Sequence, residues 1–370
     1  HDILLGSTKY EFIREARRKL GAKGWLASTW PKEYGGGGLS LEEAAVIELE
    51  IVKRPWSRFG VGDFFTAFLS IFGPMLYALG TEEQKKRFLP PLLRGEIIAW
   101  QGYSEPDCGS DIASVKMTAI RDGDDYVMNG SKIWLGTQYD NADFIFLVAV
   151  TDPKAPRHRN VGLFLVPVGL PGISKVRVPW MHNPHTGAWQ IFFENVRVPV
   201  EYLIGGHENA TNAWQAMRGT AVHGRNRPAI MPARDHNQEF VLAYCRETKR
   251  DGQPLSQDSD VREALVEVEI QLEIRRLFAT RQNWEIMSGK RLVGYEGPQS
   301  AVLGKVTDIK QAAAYSDILG PAALIKEPEW ALFGGNIEYQ QFHPVADASG
   351  GMPQEVSKML MARTACRAGD

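Results

Sequence analysis

The stretch Tyr103-Ser104-Glu105-Pro106-Asp107-Cys108-Gly109-Ser110-Asp111 gathers hydroxyls, carboxylates, a proline and a glycine into one short segment. A turn of this composition brings side-chain hydroxyls and backbone N–H groups together, and such a set can hold an anionic or carbonyl-rich ligand. The same residues equally suit a turn held by its own local caps, with no ligand at all. On the residues alone both readings stand.

What must position this segment is legible on either side of it. From Tyr10 to Gly95 the pattern is helical, and Ser40-Leu41-Glu42-Glu43 and Thr81-Glu82-Glu83-Gln84 each read as a capping box that fixes a helix start. After Trp100 the character changes to short β-prone runs, Lys116–Ile120, Tyr126–Met128 and Phe144–Val150, with Asp122-Gly123 and Asn129-Gly130 expected as the turns between them. Helical periodicity returns in the last third, where Val261, Leu265, Val268 and Leu272 follow steps of four and three and Ser288-Gly289 marks a stop. Lys249 to Ser259, polar and containing Gly and Pro, reads as a connection between helices. The expected fold is mainly α with a central antiparallel β domain. Its divisions are a helical domain over residues 1–98, a β domain over 99–205 and a C-terminal helical bundle over 206–370.

The 370 residues exceed what one core needs, so two or three packed parts are expected. A net charge of -2, from 42 basic and 44 acidic residues, gives no electrostatic case for nucleic acid or an anionic membrane surface. Cys108, Cys245 and Cys366 lack disulfide-like or metal-ligand spacing, so no metal site is expected and a reducing cytoplasm fits. No apolar run reaches the roughly 20 residues of a membrane span, and no export pattern stands at the N-terminus.

From Ser104 to Asp111 the chain matches Ser/Thr-Glu-Pro, two residues, then Gly-Ser-Asp, a motif of the acyl-CoA dehydrogenase family, which the sequence closely resembles. Trp30-Pro31-Lys32-Glu33-Tyr34-Gly35-Gly36, Gly80-Thr81-Glu82-Glu83-Gln84-Lys85, Asn129-Gly130-Ser131-Lys132-Ile133-Trp134 and Phe192-Phe193-Glu194-Asn195-Val196-Arg197-Val198-Pro199 resemble further family segments in the right order. The resemblance covers the first two domains well and the last poorly. It implies a helical domain, a middle β-barrel and a C-terminal four-helix bundle, with FAD as cofactor.

By that resemblance Tyr103 and Ser104 lie along the flavin ring, and Gly109 and Ser110 lie near the cofactor or the thioester. Trp134 packs against the isoalloxazine, where an indole face shields the ring from water while hydroxyl and N–H donors stabilise its reduced form. Gly136 stands where many relatives carry a flavin-contacting threonine, with Thr137 one step later. The arginine by which relatives reach a neighbouring subunit's FAD pyrophosphate has no direct counterpart in Thr248-Lys249-Arg250-Asp251-Gly252, leaving Arg246 or Arg250 to supply the charge. Ser110 and Arg227 are expected contacts for the acyl-CoA.

The implied reaction removes the acyl α-proton with a carboxylate while the β-hydrogen leaves as hydride, and electrons pass on to an electron-transfer flavoprotein. A positioned base contributes typically about 10²–10⁴-fold. In most relatives this glutamate precedes a segment corresponding here to Gly350-Gly351-Met352-Pro353-Gln354, so that Gly350 occupies its place. A second group carries it on an earlier helix, corresponding here to Gly224 or Asn226. None of the three can take a proton; Asp347 and His223 are the nearest substitutes, although Asp347 also suits a turn or helix cap.

Three readings follow. The first is a FAD-containing acyl-CoA dehydrogenase with a displaced base, or one partner of a homo- or hetero-oligomeric dimer or tetramer whose companion completes the site. Trp56, Phe59, Phe64, Phe65, Phe68, Trp180 and Trp189 are compatible with a bulky acyl group or with core packing. The second keeps fold and flavin but changes the chemistry, as in desulfinases and monooxygenases of this fold. The third is a non-catalytic structural subunit.

Overall fold

The strand Phe144–Val150 shows how one sheet can have two covered faces. Its run Phe-Ile-Phe-Leu-Val-Ala-Val is almost wholly buried, and because successive side chains point to opposite faces, Phe146, Val148 and Val150 join one apolar cluster while Ile145, Leu147 and Ala149 join another. A continuous apolar run is the signature of a strand buried on both sides.

The computed structural model describes residues 7–52, 71–136, 141–179, 188–214, 217, 236–288, 295–325, 327, 329–332, 336–349 and 353–367. The chain divides into two compact units, one mainly of residues 2–47 and 56–226 and the other mainly of 48–55 and 227–370.

The helices before the sheet are α1 (Ser7–Ala22), α2 (Leu41–Val52), α3 (Gly73–Leu79) and α4 (Glu82–Leu93); α1, α3 and α4 belong to the first unit, and α2 to the first as far as Ile47 and to the second from Glu48. Both expected capping boxes form. Glu43 N–H donates to Ser40 Oγ at 3.2 Å and Ser40 N–H to Glu43 Oε2 at 2.9 Å; Gln84 N–H donates to Thr81 Oγ1 and Thr81 N–H to Gln84 Oε1. Gln84 does more, its amide donating to the Glu201 and Leu203 carbonyls at 3.0 and 2.7 Å and accepting from Gly205 N–H at 2.8 Å. One buried side chain thus ties the start of α4 to the end of the sheet. Of the aromatic-rich stretch from Trp56 to Phe72, residues 56–70 lie outside the described residues, and Phe72 is buried in the first cluster.

The sheet comprises β1 (Ala99–Gly102), β2 (Thr118–Asp122), β3 (Asp125–Leu135), β4 (Phe144–Val150), β5 (Val161–Pro167), β6 (Ile173–Val178) and β7 (Ala188–Pro199). Its order is β1-β4-β2-β3-β7-β6, with β5 also on β4. Most pairs are antiparallel, as expected, while β1 and β2 both run parallel to β4. The sheet curls: Lys175 of β6 lies over the ring of Trp100 of β1, 5.3 Å from its centroid, although the two strands end the order.

Asp122-Gly123 turns the chain between β2 and β3, as expected, with Asp122 paired to Asp125. The second expected turn is corrected. Asn129-Gly130 lies inside the continuous strand β3, at a register shift opposite β7. The extra residue is on β7, where Asn195 takes φ 50 and its N–H donates to Asn129 Oδ1 at 2.9 Å. Gly130 is required there because φ is +137 and a Cβ would come within 2.9 Å of Met117 Cα. The dipeptide marks a bulge, for which the same backbone freedom is needed as for a hairpin turn.

In the second unit the helices are α5 (His236–Glu247), α6 (Ser259–Met287), α7 (Glu296–Leu319), α8 (Asn336–Ser349) and α9 (Gln354–Arg367). α7 packs against α6, α8 and α9. Val261, Val268, Leu265 and Leu272 of α6 join its apolar cluster, and Asp258 caps α6 while Ser288 ends it. The connection from α5 to α6 contains a two-strand hairpin, Lys249–Arg250 with Gln253–Pro254, turned by Asp251 (φ 52) and Gly252 (φ 82). No helix among the described residues is long and apolar enough to cross a membrane.

Candidate functional site

The segment after β1 closes on itself first. Glu105 N–H donates to the Cys108 carbonyl at 2.7 Å and Cys108 N–H returns to the Glu105 carbonyl at 3.0 Å. Cys108 Sγ turns inward to the Asp111 carbonyl at 3.0 Å, and burial pushes its thiol pKa up. The buried thiol anchors the loop, leaving Gly109 and Ser110 exposed beyond it. Neither their N–H groups nor the Ser110 hydroxyl bonds to any described residue.

Beneath the loop is an ion pair withdrawn from water. Lys132 is 0% exposed and Glu105 7%. Lys132 Nζ donates to Glu105 Oε1 at 2.8 Å and to the Tyr103 carbonyl at 3.1 Å. The carboxylate also accepts from Lys116 N–H at 2.7 Å and Met117 N–H at 3.0 Å. Burial lowers the Lys132 pKa, and the Glu105 charge opposes that. Tyr103 points its ring into the core, edge-on to Phe146 with centroids 5.2 Å apart and its hydroxyl 3.6 Å from Met75 Sδ; desolvation pushes its pKa well up.

The other half of the site is a second bulge. Between Lys132 and Leu135 the pairing to β7 shifts so that β3 carries one residue more than its partner. Trp134 takes up the difference with φ 67, a left-handed conformation that disfavours a bulky residue by roughly 1–2 kcal/mol. Its indole remains 48% exposed. Gly136 follows with φ +66. Strained, exposed aromatics at bulges mark places where a strand re-aims a side chain for use. Ile133 N–H donates to the Ser104 carbonyl at 3.0 Å, so the residue before Trp134 is bonded directly to the residue that carries the loop's first hydroxyl.

At the loop's far end Arg157, on the connection between β4 and β5, donates to Asp111, which also accepts from the Ser114 hydroxyl. That hydroxyl and the guanidinium hold the Asp111 carboxyl below its usual range.

Tyr103, Ser104, Gly109, Ser110, Trp134 and Gly136 are therefore carried by one loop and the strand end bonded to it. Arg246 and Arg250 belong to the second unit, Arg246 exposed at the end of α5 and Arg250 on the hairpin, 3.7 Å from Asp258 Oδ2. Asp347 lies within the last turns of α8. His223, Gly224, Asn226, Arg227, Thr137, Trp180 and Gly350 lie outside the described residues. Sequence reading assigned no role to Glu105, Lys132 or Arg157. The alternation of β3 held the signal for Lys132, since Tyr126 and Met128 are buried and Lys132 shares their parity; a lysine at an inward position requires a buried partner.

Three successive stretches of the chain match three domain families in order. Residues 6–96 match the acyl-CoA dehydrogenase N-terminal domain, 101–196 the middle domain and 213–334 the C-terminal domain. The chain belongs to the acyl-CoA dehydrogenase family. Among individual relatives, it is 32% identical to acyl-CoA dehydrogenase FadE26 of Mycobacterium tuberculosis, over 95% of this chain and 87% of the relative. Among solved structures it resembles the ChsE4-ChsE5 complex from Mycobacterium tuberculosis, with TM-score 0.80 and 28% identity over 98% of this chain and 93% of that one. It also resembles the Tcur3481-Tcur3483 steroid ACAD, with TM-score 0.80 and 29% identity over 96% and 89%.

Proposed function

We propose that this chain is a FAD-dependent acyl-CoA dehydrogenase acting on bulky, ring-bearing acyl-CoA thioesters, as one of two unlike subunits, with an electron-transfer flavoprotein as electron acceptor. The observation that carries the reading is the Ile133 to Ser104 backbone bond, which places the hydroxyl-bearing loop beside the Trp134 bulge.

The residues present fit a flavin. A Cβ at Gly109 would meet nothing within 4 Å, so the loop offers open space beside unused N–H and hydroxyl donors, the donor set suited to the carbonyl-rich edge of a flavin ring. Ser104 and Ser110 would orient it, and the Trp134 indole would cover a ring face and exclude water. The chemistry that FAD supplies when bound is acceptance of the acyl β-hydrogen as hydride. Ser110 and Arg227 are proposed to hold the thioester, with Arg246 or Arg250 supplying charge to the pyrophosphate of a neighbouring subunit's FAD.

Removal of the α-proton calls for a base within hydrogen-bond reach. Glycine at 350 and 224 and asparagine at 226 offer none. The proposal therefore assigns the proton to Asp347 or His223, or to a companion chain that completes the site. One solved relative is described as a steroid ACAD, which supports the bulky substrate, and two differently named chains are given for both, which supports the unlike partner. The same three residues favour a second reading, a flavoprotein of this fold whose reaction, such as desulfination or monooxygenation, needs no α-proton abstraction.

The test is anaerobic reduction of the bound flavin by straight-chain, branched and ring-bearing acyl-CoAs. It is run with the chain alone, with a co-expressed family partner, and with Asp347→Asn and His223→Ala. Bleaching by ring-bearing acyl-CoA supports dehydrogenation, and its loss in one variant identifies the base. A flavin that no acyl-CoA bleaches in either assembly favours the second reading, and a colourless protein that takes up no FAD leaves a structural subunit.

A further inference from the structure

We propose that the buried Lys132 and Glu105 form a positioning pair that fixes the Ser104 hydroxyl and the Trp134 indole relative to one another. The inference deepens the FAD reading above and rests on it.

If stability alone were at stake, two well-packed apolar side chains would serve as well, because desolvating both charges offsets most of their attraction. What distinguishes this pair is what it grips. Lys132 Nζ bonds the Tyr103 carbonyl and the Glu105 carboxylate, the residues on either side of Ser104. The Ser104 carbonyl itself is held by Ile133 N–H. Three consecutive loop residues are thus attached to two consecutive strand residues, and the next residue on the strand is Trp134. Through the Glu105 carboxylate the grip extends to the Lys116 and Met117 N–H groups, so the ammonium ties the loop to β3 and the carboxylate ties it to the residues just before β2. The Ser104 hydroxyl bonds to none of the described residues. Every bond at this point therefore holds backbone or the pair itself, and the hydroxyl is left for a ligand. A bulge residue in a left-handed conformation keeps its geometry only when its surroundings over-determine it, and the pair supplies that constraint beside Trp134.

The experiment compares wild type with Lys132→Met, Glu105→Gln and the double variant. Three properties are measured: melting temperature, FAD affinity and flavin redox potential, and hydrogen exchange at Ile133 and across residues 103–111. Each single variant strands one buried charge or its donor, and a lower melting temperature is expected. The double variant removes both charges and is expected to regain most of that loss. It is nevertheless expected to bind FAD on the order of tenfold more weakly, since the Tyr103 carbonyl has lost a charge-assisted donor, with an altered potential and faster exchange at Ile133. Recovery of affinity, potential and exchange together with melting temperature would reduce the pair to a structural element and overturn the proposal. Should wild type bind no FAD, the parent reading fails separately. Exchange at Ile133 then decides: unchanged protection in the double variant sinks the clamp, and selective loss supports it.

Discussion

Gly109→Ala separates what the fold needs from what a ligand needs. The new methyl meets no atom within 4 Å, and Gly109 is not among the residues with positive φ, so the folded chain accepts alanine without strain. Reduced freedom of the unfolded chain then stabilises the variant by about 0.4–1 kcal/mol, a rise of roughly 1–4 °C in melting temperature for a unit of this size. A flavin or thioester lying against the loop would meet the methyl instead. Overpacking of that kind costs about 1–3 kcal/mol, which is about a 5- to 150-fold loss of FAD or acyl-CoA affinity. Differential scanning fluorimetry gives the first quantity and flavin fluorescence titration the second. Gly169→Ala is the control: its added methyl also meets nothing, on the connection between β5 and β6, and it should raise the melting temperature without touching affinity. If Gly109→Ala is stabilised and binds both ligands like wild type, neither passes along this loop.

Three further outcomes follow from the same geometry. Trp134→Asn relieves the left-handed backbone by about 1 kcal/mol, offsetting part of the packing lost with the indole, while FAD affinity should fall; unchanged affinity would detach the bulge from the cofactor. Gln84→Met leaves the Glu201 carbonyl and the Thr81 and Gly205 N–H groups without this partner and takes one of two donors from the Leu203 carbonyl, which keeps Gly206 N–H, and urea unfolding should show a loss of about 3 kcal/mol or more. The Arg94 hydrogen bond lowers the Glu96 pKa from its ordinary 4.5. This pair therefore adds stability above that value and loses it as pH falls through the lower folded-state value; Glu96→Gln should flatten the acid limb of melting temperature against pH, and an unchanged limb would show the pair to be inert.

The helix starts were legible because a capping box is a local device whose partners lie three residues apart, as at Ser40 and Thr81. The heptad-like steps from Val261 to Leu272 were legible for the same reason. The loop from Ser104 to Asp111 was legible as a motif, and its attachment to β3 was not. Nothing local says that Ile133 reaches Ser104 or that Lys132 is withdrawn from water, since both facts arise from pairing partners far apart in sequence. Asn129-Gly130 shows the converse limit. The dipeptide announces a backbone that needs positive φ, but whether that serves a turn or a bulge depends on β7, some sixty residues on. Arg157 was missed because its partner Asp111 is fixed by the return of the β4 to β5 connection, for which charge in the sequence gives no address.

The most direct measurement is an experimental structure of the purified chain with FAD. The isoalloxazine is expected beside Ser104 and Ser110, with the Trp134 indole against its face. A flavin bound elsewhere, or an indole turned away from it, would contradict the central claim that this loop and this bulge form one cofactor surface.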